Sequence, residues 1–278
     1  MDYEAEYNNR ARVPEHPEIF ARWEKEASSY RDECSRAGRA ELGIAYGASD
    51  RQIVDIFKPQ KDGGAIALFI HGGYWRALHP SGFSHCARGL NRHGVTVALA
   101  GYDLCPQVTV GEIIEQMRAA CLFVWRRFGK RIMVYGHSAG GHLAACMLAT
   151  DWRKLDGDAP ADLVPAAYSI SGVFDLSPLL KVSMNADLRL DEKQARAVSP
   201  VFWPAPAGKT LDSIVGGAES SEFLRQAKTI VDAWQGKLVL RYEAVPGANH
   251  FTALDPLNDP DSTMAKRLVE LCGKTMGT

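Results

Sequence analysis

The sequence predicts an α/β chain, with a mostly parallel central sheet and helices on both faces. Three observations carry that prediction. Apolar runs of strand length, such as Ala65 to Ile70, alternate with helical stretches along most of the chain. This is the pattern of parallel strands covered on both sides. A second run, Arg131 to Tyr135, leads into Gly136-His137-Ser138-Ala139-Gly140, and a run of helix formers to Ala149 follows at once. That is the strand, sharp turn and helix in which a G-x-S-x-G pattern holds a serine above a sheet edge. Third, His71-Gly72-Gly73-Tyr74-Trp75 directly follows the Ala65 strand, where glycines let backbone approach a ligand closely.

The elements follow in order. Met1 to Tyr7 is acidic and lacks the apolar core of a signal peptide. Pro17 to Ala37 reads as a helix whose Ile19, Phe20, Trp23, Ala27 and Tyr30 recur at helical spacing, a stripe expected to pack on the body. Glu41 to Tyr46 and Gln52 to Phe57 read as an antiparallel pair joined by Gly47-Ala48-Ser49-Asp50. After the Ala65 strand comes a helix from about Gly82 to His93, then a strand from Val95 to Leu99. Thr109 to Phe128 is a long helix with Ile113, Ile114, Met117, Ala120, Cys121, Val124 and Trp125 on its inner face. Strands are then expected over Ala166 to Phe174, from Leu211 into Gly216-Gly217, and over Lys237 to Tyr242. Leu176 to Pro206 breaks the alternation. With Pro178, Pro200, Pro204, Pro206 and short helical pieces it reads as a lid, with Met184, Leu188, Phe202 and Trp203 on its inner wall, or as an insertion whose aromatics merely pack. The whole chain, 1–278, is expected to form a single domain, with a helical N-terminal segment at about 15–37 and the lid at about 176–206.

The candidate chemistry is acyl transfer through Ser138. A serine hydroxyl needs a base, and the base needs an orienting carboxylate. In this architecture the chain order is serine, acid, histidine. Of eight histidines only His142 and His250 follow Ser138. His142 lies one turn into the next helix and is expected to pack or cap locally. His250 sits in the turn-rich loop Val245 to Phe251, after a strand, where the base belongs. The acid is taken as Glu219, the first carboxylate past the glycine turn, with Glu222 and Asp175 as alternatives. Backbone N–H groups of Gly72, Gly73 and Ala139 are the candidate oxyanion donors. Tyr74, Trp75, Trp203 and Phe251 are candidate substrate contacts, able to stack on an aryl group.

The composition bounds the function. Hydrophobic residues make up 46% of the chain, enough for a large core, and the formal net charge of −1 gives no global attraction to nucleic acid or anionic membrane. No apolar stretch approaches a membrane span. The six cysteines are scattered without a C-x-x-C, as free thiols in a reducing cytoplasm would be. No metal-ligand spacing and no nucleotide-binding glycine motif occurs, so no metal or cofactor is expected. The expected partner is a small-molecule substrate; a homodimer is compatible with the sequence.

These motifs carry a resemblance. His71-Gly72-Gly73-Tyr74-Trp75, Tyr102-x-Leu104-x-Pro106, Gly136-His137-Ser138-Ala139-Gly140-Gly141-His142 and Glu219-Ser220-x-Glu222-Phe223-x-x-Gln226, with the opening Tyr7-Asn8-x-Arg10-x-x-Val13-Pro14, resemble the kynurenine formamidase-like branch of the α/β-hydrolases. The resemblance runs over nearly the whole chain. It implies an α/β-hydrolase fold, with Ser138 as nucleophile, Glu219 as acid, His250 as base, and Gly72, Gly73 and Ala139 as oxyanion donors. The activity implied is hydrolysis of a small acyl amide or ester, first an aryl formamide such as N-formylkynurenine. A carboxylesterase for short, aromatic esters is the alternative, and a non-catalytic receptor on the same scaffold the third reading.

Overall fold

The computed structural model describes residues 1–276. Two short helices, α1 (Tyr3–Tyr7) and α2 (Asn9–Arg12), precede the long α3 (His16–Arg36). Then come β1 (Ala40–Ala45), β2 (Ile53–Phe57), β3 (Ile66–Ile70), α4 (Arg88–Arg92), β4 (Thr96–Ala100), α5 (Val110–Phe128), β5 (Ile132–His137), α6 (Ala139–Leu148), α7 (Trp152–Leu155) and β6 (Ala166–Ile170). The chain continues through α8 (Asn185–Leu188), α9 (Glu192–Ala197), β7 (Thr210–Gly216), α10 (Ser221–Trp234), β8 (Val239–Val245) and α11 (Thr263–Gly273).

The strands form one 8-stranded sheet in the order β1-β2-β4-β3-β5-β6-β7-β8. β1 and β2 enter antiparallel, and every pairing from β4 to β8 is parallel. The central strands read as unbroken apolar runs because both of their faces are covered. On one face Leu68, Val134 and Ile113 join a core beneath α5, α6 and α10; on the other Phe69, Tyr135 and Leu268 join a second core beneath α3 and α11. Within one strand neighbours alternate between the two cores, as the pleat requires.

Local signals set the boundaries. Thr109 and Glu112 close a reciprocal capping box at the start of α5, and Gly129, left-handed at φ 65°, ends it. The helix expected over Gly82 to His93 is instead a 3₁₀ stretch, Pro80–Ala87, followed by the short α4. Gly82 and Gly89 weaken an α-helical ladder there. Gly89 also lies against the Leu257 carbonyl, where a Cβ would stand 2.5 Å from the oxygen. β6 stops at Ile170, short of the expected Phe174, because Ser171 turns left-handed at φ 53°. β8 lies two residues later than expected at its start and runs on to Val245. The segment 176–206 folds as short 3₁₀ and α pieces, with Pro178 and Pro200 in the first turns of the two 3₁₀ stretches. α1, which no hydrophobic period announces, packs against α10 and the 177–181 stretch, and α2 packs against α1.

Candidate active site

Ser138 stands at the turn between β5 and α6 with φ 56° and ψ −117°, a conformation L-residues rarely adopt. The glycines around it are required by space. A Cβ on Gly136 would meet the Gly140 carbonyl oxygen at 2.3 Å, and one on Gly140 would meet the Ile70 oxygen at 1.9 Å. The strained turn is therefore locked by neighbouring backbone, and Ser138 is held 2% exposed at a cavity floor.

The loop after β3 closes on that serine. A Cβ on Gly72 would lie 3.0 Å from the Ser138 Cβ, so only glycine brings backbone this near. Gly73 has φ 108°, and Tyr74 and Trp75 follow at 49° and 55°. The Gly72–Gly73 peptide is aimed by its carbonyl. His71 Nδ1 lies 2.7 Å from the Gly72 oxygen, and Tyr102 donates its hydroxyl to the carbonyls of His71 at 2.9 Å and Gly72 at 3.3 Å. Burial pushes His71 down to about 3, so the ring is neutral, and a nitrogen facing a carbonyl must be the one that carries hydrogen. Tyr102 stacks on the same ring at 4.3 Å. With the Gly72 oxygen pinned there, the Gly73 N–H of the same planar peptide points the opposite way. Among the described residues neither this N–H nor that of Ala139 has an acceptor within the chain.

Glu219 and His250 come together from the ends of β7 and β8. His250 Nδ1 lies 2.7 Å from Glu219 Oε2. The other carboxylate oxygen accepts the Gly216 N–H at 2.6 Å and the Ser171 hydroxyl at 2.5 Å. With Nδ1–H given to the carboxylate, a neutral imidazole keeps its Nε2 lone pair free. His250 is held from its main chain as well: His137 Nε2 lies 2.7 Å from its carbonyl oxygen. Burial pushes His137 down to about 3, so it too is neutral and donates that bond through Nε2–H. Phe223 packs on the His250 ring at 4.6 Å. Ser138 and His250 line the same cavity of about 330 Å³.

The two alternative acids lie elsewhere. Glu222 is buried but accepts the Tyr7 hydroxyl at 2.8 Å and a bidentate pair from Arg225, which holds its carboxyl below the usual range. Asp175 uses its carboxylate to cap the N–H of Ser177 at 3.0 Å. His142 is tied away from His250, not to a local partner as expected: its Nε2 lies 2.7 Å from the carbonyl of Val198, 56 residues on.

The aromatic expectations divide. Tyr74 and Phe251 line the cavity; Trp75 and Trp203 do not. The left-handed backbone at Trp75 turns its indole into the core, fully buried and edge-on to His142 at 5.0 Å. Trp203 donates its indole N–H to the Ala197 carbonyl at 2.8 Å, within its own segment. Within 176–206 Met184 reaches the cavity, whereas Leu188 is buried in the core and Phe202 is 42% exposed. The opposite wall was not anticipated. It is built by Tyr7, Asn8, Asn9 and Arg10 of the N-terminal segment and by Phe20 and Trp23 of α3. The helical stripe expected only to pack thus also faces the cavity. Ser171 and His137 were equally unforeseen; a left-handed serine after a strand has no sequence signature. The Tyr7-Asn8-x-Arg10 motif was the available signal for the wall.

Among the described residues no three His, Cys, Asp or Glu side chains gather as a metal site, and no helix is long and apolar enough to cross a membrane.

Residues 67–234 match the family model described as alpha/beta hydrolase fold. The chain is similar to the kynurenine formamidases of Salmo salar, at 29% identity over 84% of this chain and 82% of that one, and of Danio rerio, at 28% over the same shares. It is also similar to that of Drosophila melanogaster, at 28% over 81% and 79%. Among solved structures, a Silicibacter protein carrying a provisional thioesterase label superposes with a TM-score of 0.86 at 34% identity, covering 97% of this chain and 99% of that one. The apo form of Thermogutta terrifontis esterase 2 shares the fold, with a TM-score of 0.65 at 20% identity over 84% and 95%.

Proposed function

The chain belongs to the alpha/beta hydrolase fold family, and on that premise we propose a serine hydrolase that cleaves an aryl formamide, N-formylkynurenine or a close analogue. Ser138 is the nucleophile, His250 the base and Glu219 the orienting acid. One observation carries this reading: His250, held by Glu219 at its ring and by His137 at its carbonyl, lines the same cavity as the strained serine.

The steps follow from the groups. His250 Nε2 takes the proton as Ser138 Oγ attacks the carbonyl carbon, and Glu219 stabilises the imidazolium that forms. The N–H groups of Gly73 and Ala139, with Gly72, receive the developing oxyanion, already oriented and so without reorganisation cost. His250 returns the proton to the departing amine. Water, activated by the same ring, then releases formate. The close approach of Gly72 to Ser138 confines the acyl side. The cavity of about 330 Å³ is near the lower end for ligand pockets, about 300–1,000 Å³. Both favour a small acyl group over a long chain.

A short-chain carboxylesterase is the second reading, favoured by the esterase and thioesterase labels of the solved neighbours. Side-by-side kcat/KM values for N-formylkynurenine and 4-nitrophenyl acetate decide between them: the formamide is expected to be the better substrate, and a formamide left uncut sinks the first reading. A receptor without turnover is disfavoured by the satisfied acid–base pair. The six buried, unpaired cysteines support a reducing, cytoplasmic setting. A homodimer through the edge strand β8 is part of the same reading. Val239 is 59% exposed there, and antiparallel pairing about Tyr242 sets Arg241 against Glu243 of a second copy; light scattering tests it.

A further inference from the structure

Four charged side chains line the cavity of Ser138 and His250: Glu4, Arg10, Arg76 and Asp187. Arg76 and Asp187 pair with each other. Glu4 accepts the Ser183 N–H at 2.7 Å, the Ser183 hydroxyl at 2.9 Å and the Asn8 amide at 3.0 Å. Arg10 differs. Among the described residues it has no carboxylate within ion-pairing distance, and its guanidinium carbon stands 5.6 Å from the Phe20 ring centre. Phe20 is itself set edge-on against Phe251 at 5.0 Å, the residue after His250.

The backbone leading to Arg10 is anchored at Tyr7 and Asn9. Tyr7 is fully buried, with its hydroxyl between Glu222 and Gln226, each at 2.8 Å. Tyr74 donates its hydroxyl to the Tyr7 carbonyl at 2.7 Å, and Asn9 is buried with its amide toward Tyr74. A guanidinium whose face rests on an aromatic ring keeps its N–H edges for an acceptor, and its fork matches a carboxylate. The acyl side of a substrate is confined at Ser138, so its larger half must extend toward this wall.

We propose that Arg10 is a specificity-determining residue of this site: its guanidinium takes a carboxylate on the departing half of the substrate, a group that N-formylkynurenine carries there and a plain aryl formamide or ester lacks. Glu4, held only by neutral donors, completes the match by facing the ammonium beside that carboxylate. This deepens the hydrolase reading and rests on turnover at Ser138, not on the acyl group being formyl.

The test compares matched charged and neutral substrates. N-formylkynurenine is paired with formanilide, and 4-acetoxybenzoate with phenyl acetate, for the unmodified chain, Arg10→Gln and Arg10→Lys at low and high salt. In Arg10→Gln the charged-to-neutral ratio of kcat/KM should fall about 10- to 100-fold, mainly through KM, as loss of a charge-assisted bond predicts. Arg10→Lys should recover part of it. Salt should lower the ratio in the unmodified chain and not in Arg10→Gln. An unchanged ratio, or equal loss on both members of a pair, overturns the proposal. Formamides left intact while the ester pair shows the Arg10 effect would sink the formamidase reading and keep the subsite. Formamides cut with an Arg10-independent ratio would do the reverse. Calorimetry of kynurenine binding to Ser138→Ala, with and without Arg10→Gln, probes the same contact without turnover: affinity should fall when Arg10 is replaced, and binding that ignores Arg10 overturns the proposal.

Discussion

The floor and the wall of the cavity are built on different principles. The floor is made of main chain fixed by close packing and by buried hydrogen bonds. Ser138 is strained by glycines that no Cβ can replace, the Gly72 carbonyl is pinned by His71 and Tyr102, and Glu219 is gripped by the Gly216 N–H. The wall, residues 3–12, is a strap tied down by side chains. Tyr7 reaches Glu222 and Gln226, Glu6 accepts the Ser221 hydroxyl at 2.7 Å and the Glu222 N–H at 2.9 Å, and Glu4 reaches Ser183. Rigid main chain suits groups that must stay within a fraction of an ångström of a transition state. Side-chain ties suit a surface that chooses the substrate. The floor should therefore govern kcat and the wall KM.

The sharpest way to break that division is Ser138→Ala. Turnover should fall by about 10⁴- to 10⁶-fold, while the thermal midpoint stays near that of the unmodified chain, since the elbow accepts a small side chain. Substantial residual activity would remove the serine chemistry from the floor. Next, Glu219→Gln should cost about 10³- to 10⁴-fold in kcat, because the amide cannot stabilise the imidazolium. Glu222→Gln, in the neighbouring turn but tied to the strap, should leave kcat within about ten-fold and lower stability by about 1–3 kcal/mol instead. A larger kcat loss at Glu222 would reverse the two roles.

Acid should sharpen the contrast in stability. His71, His85, His137 and His142 are buried and neutral, with burial pushing them down to about 3, 4, 3 and 4. The unfolded chain protonates each near pH 6.5. Between that pH and about 4 the unfolded state binds more protons, so stability falls as pH falls. From pH 7 to 5.5 the four together should remove on the order of 5 kcal/mol from the unfolding free energy. Denaturant melts across this range check it; a flat profile would mean the rings titrate freely. The smallest effect is expected at the strap. Tyr7→Phe keeps the ring and leaves Glu222 and Gln226 without the hydroxyl between them. It should raise KM about two- to ten-fold with kcat nearly unchanged and cost about 1–3 kcal/mol of stability. A fall in kcat with KM constant would show that the wall shapes the chemistry after all.

The sequence alone determined what depends on neighbours along the chain. The alternation of buried strands and helices, the capping box at Thr109, the strained elbow at Ser138 and the glycine loop at Gly72 are each encoded within a few residues, because they rest on steric limits, propensity and period. Glu219 and His250 were legible for a related reason: each follows a strand, and parallel strands deliver their ends to one edge of the sheet. What remained closed was whatever depended on contact between distant segments. No pattern says that Tyr7 meets Glu222, 215 residues away, that Ser171 steadies Glu219, or that Phe20 and Trp23 reach the cavity beside Phe251. Trp75 and Trp203 illustrate the same limit: an aromatic beside a motif is recognised by type, but a left-handed φ or a hydrogen bond within its own segment decides where it points. Only the tertiary structure shows which carboxylate meets His250, since Glu219, Glu222 and Asp175 carry the same chemistry and differ in their partners. Local strain and period act through covalent neighbours and can be read in order; side-chain direction is settled by packing, which exists only once the chain has closed on itself.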